Sequence, residues 1–319
     1  MNRSAAFENG RRQRTPPNSS YWIRYFRRYW FIYLLALPGV LHVLIFSYVP
    51  MAGIVIAFKK YKFLQGVWAS PWVGFDNFQV LFRSAYFLKV IRNTVLINIY
   101  GIVVNTVFVI VLALFINEIK SRVSKSLIQT AVYLPHFISW VVFAGLINVM
   151  LSPNDGMLNK LIMWFGGQPV YFLGSASYFR SVLVVTGLIK GAGYSTIIYL
   201  AAISGINPEL YECSLLDGAN RFQQMWYITI PRIKPTIIVL LILSLASLFG
   251  SNFEQVFNLY SPLVYETGDV ISTYLYRTGM QEGKFEIGTA MGLVFSVFSI
   301  LAIFVTNIFV KKMDVMGIL

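Results

Sequence analysis

Six stretches of this chain run for the length of a membrane span with almost no Asp, Glu, Lys or Arg: residues 29–58, 93–117, 126–154, 181–208, 235–253 and 287–310, with Lys190 the one interruption. A helix that crosses a bilayer needs about 20 largely apolar residues, because lipid offers no partner to exposed backbone or charge. The windows therefore predict an all-α integral membrane protein with six transmembrane helices, at about 30–56, 93–117, 127–151, 181–204, 236–254 and 287–310. Composition agrees: only 12% of the 319 residues are charged and 57% are hydrophobic, against roughly 25% charged in a soluble protein. An ordinary soluble enzyme is excluded. Cys213 is the lone cysteine, which excludes a disulfide framework and a Cys-rich metal site, and two histidines, His42 and His136, argue against a His-based metal centre.

The first window is too long for a signal-peptide apolar region and no small-residue cleavage site follows it, so it reads as a span. Its Pro38 and Pro50 predict kinks or an early helix end. Ahead of it, residues 1–28 form a polar basic tail containing Pro16-Pro17, whose first part is expected to be disordered. The net charge of +13 would suit nucleic acid, but the map of charges points elsewhere. With the N-terminus inside, the cytoplasmic side collects Arg3, Arg11, Arg12, Arg14, Arg24, Arg27 and Arg28, then Lys120, Arg122 and Lys125, then Arg221, Arg232 and Lys234, then Lys311 and Lys312. That excess is the positive-inside pattern and places both termini in the cytoplasm. Lys59, Lys60 and Lys62 are the local dissent. Nucleic acid is not an expected partner; membrane lipid is.

The longest inner connection after the tail is 204–236. Asn207-Pro208 is a helix start, since Asn can cap and Pro fits the first turn. Glu209 and Glu212 follow where the helix dipole favours negative charge. Asp217-Gly218 is a turn, Asn220-x-x-Gln223 can open a second helix, and Pro231 and Pro235 are read as closing it. Two short helices with a sharp bend suit a partner's groove, with Leu210, Leu215 and Leu216 as anchors and Glu212 as an oriented charge; a plain elbow on the membrane surface is the alternative.

The run Glu212-Cys213-Ser214-Leu215-Leu216-Asp217-Gly218-Ala219, continued by Ile228-Thr229-Ile230-Pro231, resembles the EAA loop of ABC importer permeases. Glu, Gly, Ile and Pro stand at the family's spacing; Cys213 and Ser214 replace two alanines and Ile230 a leucine. The similarity runs from about Tyr33 to Met313. Phe46-Ser47-Tyr48, Gly74-Phe75-Asp76-Asn77-Phe78 and Asn93-Thr94 resemble landmarks of the sugar-type permeases. The run from Phe253 to Tyr260, with Gly268-Asp269-Val270-Ile271 and Thr273-Tyr274, resembles the branch that imports complex oligosaccharides, such as alginate and pectin fragments. The resemblance implies a type I ABC importer permease fold, 29–315, with a cytoplasmic coupling helix in the loop 207–235. It implies a second, different permease subunit, two ABC ATPase subunits and an extracytoplasmic solute-binding protein as partners, and an oligosaccharide as substrate. Glu212, Asp217, Gly218, Ala219 and Pro231 would couple the chain to the ATPase. No phosphate loop G-x-x-x-x-G-K-[ST] is present, so the chain is expected not to be an enzyme: it carries no cofactor, with ATP and Mg on the ATPase partners.

A sugar path should appear as polarity on an apolar helix. Ser244, Ser247, Ser251, Gln255 and Asn258 recur at steps of three and four and so would share one face of the fifth span. Ser244 and Ser247 fit close helix packing better, while Ser251, Asn252, Glu254, Gln255 and Asn258, nearer the mouth, fit a path. Lys190, the one charge inside a span, could meet an anionic sugar, pair with Glu254 or snorkel to the interface. His42 and His136 read as structural, Cys213 as a small filler, and Trp68 and Trp72 as interfacial belt residues rather than sugar platforms. Outer segments 152–180 and 254–286 are expected to touch the solute-binding protein. Two other classes compete. A self-contained secondary sugar transporter would favour carboxylates in the spans. A membrane-embedded enzyme would need paired carboxylates or a metal cluster at one face, and the only inner acid cluster, Glu209, Glu212 and Asp217, fits docking better.

Overall fold

The computed structural model describes residues 19–250 and 252–311, and the side chains of 25–250 and 252–308. The chain divides into two compact units, Met1–Ile54 and Val55–Leu319. In the first, α1 (Ser19–Val43) is followed by a π turn, Leu44–Tyr48, and a 3₁₀ stretch, Val49–Phe58, that leads into the second unit. Pro38 sits inside α1 without ending it, and the backbone departs from helical angles at Tyr29 instead. The expected disorder at the start of the tail lies outside the described residues.

In the second unit a one-turn helix α2 (Gly66–Ala69) and a short α3 (Asp76–Arg83) precede the long α4 (Ala85–Glu118). Then come α5 (Arg122–Phe137), α6 (Trp140–Met150), α7 (Met157–Trp164) and α8 (Ala176–Ser204). The inner loop contributes α9 (Glu209–Leu216) and α10 (Arg221–Gln224), and α11 (Ile230–Ala246) follows. Short α12 (Phe253–Leu259), α13 (Tyr265–Gly268) and α14 (Ile271–Tyr276) lead to α15 (Phe285–Lys311). Among the described residues there is no β-strand, only one isolated bridge between Lys59 and Trp72.

Among the described residues five helices are long and apolar enough to cross a membrane, and six spans result if the bent pair α5–α6 counts as one. Three boundaries read from charge differ from the helices. The helix that carries the second window begins at Ala85, ahead of residue 93: Ser84 accepts the Phe87 amide and starts it, so Lys89 and Arg92 ride on its first turns. The third window, 127–151, is carried by two helices, bent by 105° between Phe137 and Trp140. Pro135 has no N–H to donate and Ser139 restarts the helix by accepting the Val142 amide at 3.3 Å. The fifth stops at Ala246 rather than 254: the chain turns through Ser247–Gly250, and Asn252 takes φ +80, the left-handed region that Asn tolerates better than most residues. At its other end Pro231 does not close a separate helix. A π turn, Met225–Thr229, in which Ile230 N–H reaches Met225 O, carries α10 into α11 and accommodates the proline.

Among the described residues the larger apolar clusters of the second unit tie its helices together. Ile97, Phe143, Phe179, Leu183 and Val256 join α4, α6, α8 and α12. Phe87, Val90, Ile271, Ala290 and Met291 join α4, α14 and α15. Val109, Ala113, Tyr199, Ile203 and Ile233 join α4, α8 and α11. Lipid supplies no hydrophobic drive between helices, so close approach matters more than apolar area. At Gly193 a Cβ would collide with the Val132 carbonyl, which marks where α8 lies directly on the backbone of α5.

Candidate functional site

Two places gather the residues singled out in the sequence. The first is the bend of the loop 207–235. Asn207 Oδ1 accepts the Glu209 amide at 3.1 Å and so starts α9. After Asp217 the helix ends on Gly218 at φ +81, with Ala219 N donating to Ser214 O at 2.9 Å; a residue with a Cβ would be strained there. Asn220 and Gln223 form a reciprocal cap, Gln223 N to Asn220 Oδ1 at 2.9 Å and Asn220 N to Gln223 Oε1 at 2.8 Å. Across the bend, buried Gln224 donates through Nε2 to Ser214 Oγ at 2.9 Å and to Tyr211 O at 3.3 Å, and the Tyr211 and Thr229 hydroxyls lie 2.9 Å apart. The knuckle is thus braced to the helix that becomes α11. Arg221 Nη1 also donates to Glu118 Oε2 at 3.1 Å, at the end of α4.

Its outward rim is apolar. Leu216 is 89% exposed and Leu215 57%, with Phe222 and Tyr227 exposed beside them. Glu212, Asp217 and Gly218 are exposed, Ala219 is half-buried and Pro231 lies exposed on α11. Leu210 is half-buried and offers less to a partner than Leu215 and Leu216 do. Cys213 is exposed, not a filler, because α9 turns that face away from the brace.

The second place is a cavity of about 230 Å³ between α4, α8 and the end of α11, whose polar lining is Asn98, Asn105, Ser244, Ser247, Asn252 and Gln255. It shares Gly187, Gly191, Asn252 and Gln255 with a larger, more open one of about 450 Å³ that adds His136, Trp140, Lys190 and Glu254. Asn252 Nδ2 donates to Asn98 Oδ1 at 2.7 Å; Gln255 Nε2 donates to Leu183 O at 2.6 Å and Thr186 Oγ1 at 2.9 Å. The expected single face does not exist, because the helix breaks between Ser244 and Gln255. The break nonetheless brings Ser244, Ser247, Asn252, Glu254 and Gln255 to the same space. Ser251 lies outside the described residues. Asn258 is not at the cavity and donates to Glu254 O at 2.7 Å. Lys190 Nζ turns to backbone carbonyls at the α5–α6 break: Pro135 O at 3.4 Å, His136 O at 3.2 Å and Ile138 O.

Residues 105–315 match the model of the family described as binding-protein-dependent transport system inner membrane component. The chain belongs to this family. It is 40% identical over 297 residues to Protein LplB of Bacillus subtilis (strain 168), covering 93% of each chain. It is 38% identical over 288 residues, 90% of each, to the polygalacturonan/rhamnogalacturonan transport system permease protein YteP of the same organism. The crystal structure of a bacterial alginate ABC transporter with an alginate pentasaccharide-bound periplasmic protein contains a chain of the same fold: TM-score 0.84, 40% identity, 92% of this chain and 99% of that one covered.

This permease holds a third arrangement that the sequence did not single out as a site. At the far end of α4, buried Asp269 accepts from Tyr86 Oη at 2.6 Å, Thr273 Oγ1 at 2.7 Å and Arg277 Nη2 at 2.5 Å. The Arg277 guanidinium lies 4.3 Å from the centre of the Tyr265 ring. Asn93 is fully buried; its Nδ2 donates to Glu266 O and Asp269 O, and its Oδ1 accepts from Arg180 Nη2 at 2.8 Å. On the surface of the same platform a hydrogen bond from Lys89 holds the Glu266 carboxyl below its usual range. The family-like runs at Asn93-Thr94 and Gly268–Ile271 were visible in the sequence; that they meet was not, since they lie far apart along the chain. Asn98 and Asn105, seven apart on one apolar helix, were the missed polarity signal for the cavity. His136 stacks on Tyr194 at 4.9 Å. Trp68 and Trp72 are exposed, and Trp72 stacks on Phe58 at 5.7 Å.

Proposed function

We propose that this permease is the membrane half of an ATP-driven oligosaccharide importer, with the permease domain at 29–315, both termini cytoplasmic and the loop 207–235 docked on an ATPase. A second, different permease, two ABC ATPases and an extracytoplasmic solute-binding protein complete the machine; ATP and Mg²⁺ belong to the ATPases. The observation that carries the reading is the knuckle at Gly218: an exposed apolar rim on a bend that is braced from within. Apolar side chains left in water beside an oriented carboxylate, Glu212, fit a partner's groove. The similarity to permeases named for polygalacturonan, rhamnogalacturonan and alginate supports an oligosaccharide derived from a complex polysaccharide as the substrate.

Movement of the docked knuckle would pass through the Tyr211–Ser214–Gln224–Thr229 brace into the helix Arg221–Ala246. That helix ends where the cavity begins. Ser251, Asn252, Glu254 and Gln255 offer hydrogen-bonding groups suited to sugar hydroxyls as the chain is handed across; Asn258 supports Glu254 from behind. A photo-crosslinking residue at position 212 is the test. In assembled complex it should capture an ATPase subunit, and failure to capture any nucleotide-hydrolysing protein would overturn the docking.

A further inference from the structure

The α5–α6 break poses a problem that the sequence solves elsewhere. A helix bent by 105° loses hydrogen-bond partners for its last carbonyls. The negative end of the α5 dipole points at the same spot. Lys190, more than fifty residues further along the chain, delivers its ammonium there: to Pro135 O, His136 O and Ile138 O, with the Trp140 ring centre 5.3 Å away.

Its placement is fixed by neighbours on the same helix. Gly193, three residues on, lies against the Val132 and Tyr133 backbone, with no room for a Cβ. Tyr194, four on, stacks on His136 at 4.9 Å and 12°. Gly187, three residues back, faces Gln255. One stretch of α8 therefore holds the joint and borders the open cavity that the joint also lines. Glu254 lines the same cavity, yet the Lys190 hydrogen bonds run to the joint.

We infer that Lys190 is a positioning residue, the side-chain cap that holds the bend of the third span, and that it does not read the charge of the sugar. The inference rests on the proposed import function only for its transport readout. A cation committed to a helix C-terminus has its donors spent, so an anionic and a neutral oligosaccharide should depend on it alike.

The test uses the full importer in nanodiscs, with Lys190→Met, Lys190→Gln and Lys190→Arg. Spin labels at positions 125 and 150 report the bend. A straight helix would set these residues about 37 Å apart at 1.5 Å per residue, and the bent one far less. Lys190→Met should lengthen that distance and lower uptake of a uronate oligosaccharide and a neutral one by the same factor, at least about tenfold, normalised to inserted protein. Lys190→Arg, which keeps a cation and its donors, should restore both. Lys190→Gln, a donor without charge, should fall between. Loss confined to the uronate substrate would overturn the inference, as would an unchanged distance in both uncharged variants. If the wild-type chain imported no oligosaccharide, the functional reading would fail while the distance measurement still judged Lys190.

Discussion

The knuckle around Gly218 and the platform around Asp269 stand at opposite ends of α4 and α8, and they are built from opposite materials. The knuckle is tied by neutral hydrogen bonds between Tyr211, Ser214, Gln224 and Thr229, and its rim is exposed and apolar. The platform is tied through an ion pair, Asp269–Arg277, whose carboxylate is wholly buried, and through a buried carboxamide, Asn93. Neutral bonds, made through the buried Gln224 and Thr229, hold the bend without placing a charge in it. A sealed charge pair is costly to break, because removing one partner strands the other. If the knuckle docks as proposed, damage to it should show in transport, and damage to the platform in stability.

The largest expected effect tests the knuckle. Gly218→Asp should insert normally and abolish transport. No atom lies within 4 Å of the position a Cβ would take, so the local cost is the positive φ, about 1 kcal/mol. Normal uptake would remove the knuckle from the transport cycle. Asp269→Asn comes next. It leaves Arg277 without its countercharge and should cost about 3–5 kcal/mol, read as a large drop in melting midpoint of purified protein. An unchanged midpoint for Asp269→Asn would show that the platform is held by packing alone. Gln224→Leu should lower sugar moved per ATP hydrolysed several-fold while ATP hydrolysis persists. An unchanged ratio would mean that the brace carries no load.

The smallest effect belongs to the exposed pair Lys89–Glu266, 2.9 Å apart. Lys89 lowers the folded-state pKa of Glu266, so the pair's contribution is fully present above the ordinary carboxylate range and is lost as pH falls through that lowered value. Lys89→Met should lower the melting midpoint slightly at neutral pH, where the pair is intact, and leave it unchanged in acid, so that the shallow acid dependence is flattened.

The windows marked the spans because charge is excluded from lipid, and that rule needs no knowledge of neighbours. It locates the membrane and not the helix, which is why α4 begins before Lys89 and Arg92. The knuckle was legible for a similar reason: Asn207, Gly218, Asn220 and Gln223 act on backbone within a few residues. What stayed hidden depends on distance along the chain. The bend at Pro135 and Ser139 finds the partner for its carbonyls in Lys190, more than fifty residues further on, and the polarity of Ser244, Ser247 and Gln255 meets Asn98 and Asn105 only because α11 stops at Ala246. Local rules name the residues; tertiary partners decide their roles.

The 34 residues of α4 rise about 51 Å at 1.5 Å each, well beyond the roughly 30 Å of hydrocarbon. One end is fastened to Asp269 through Tyr86 and the other to Arg221 through Glu118. A rod anchored at both faces puts them under thermodynamic linkage: by whatever factor occupancy at one face strengthens binding at the other, the reverse must hold by the same factor.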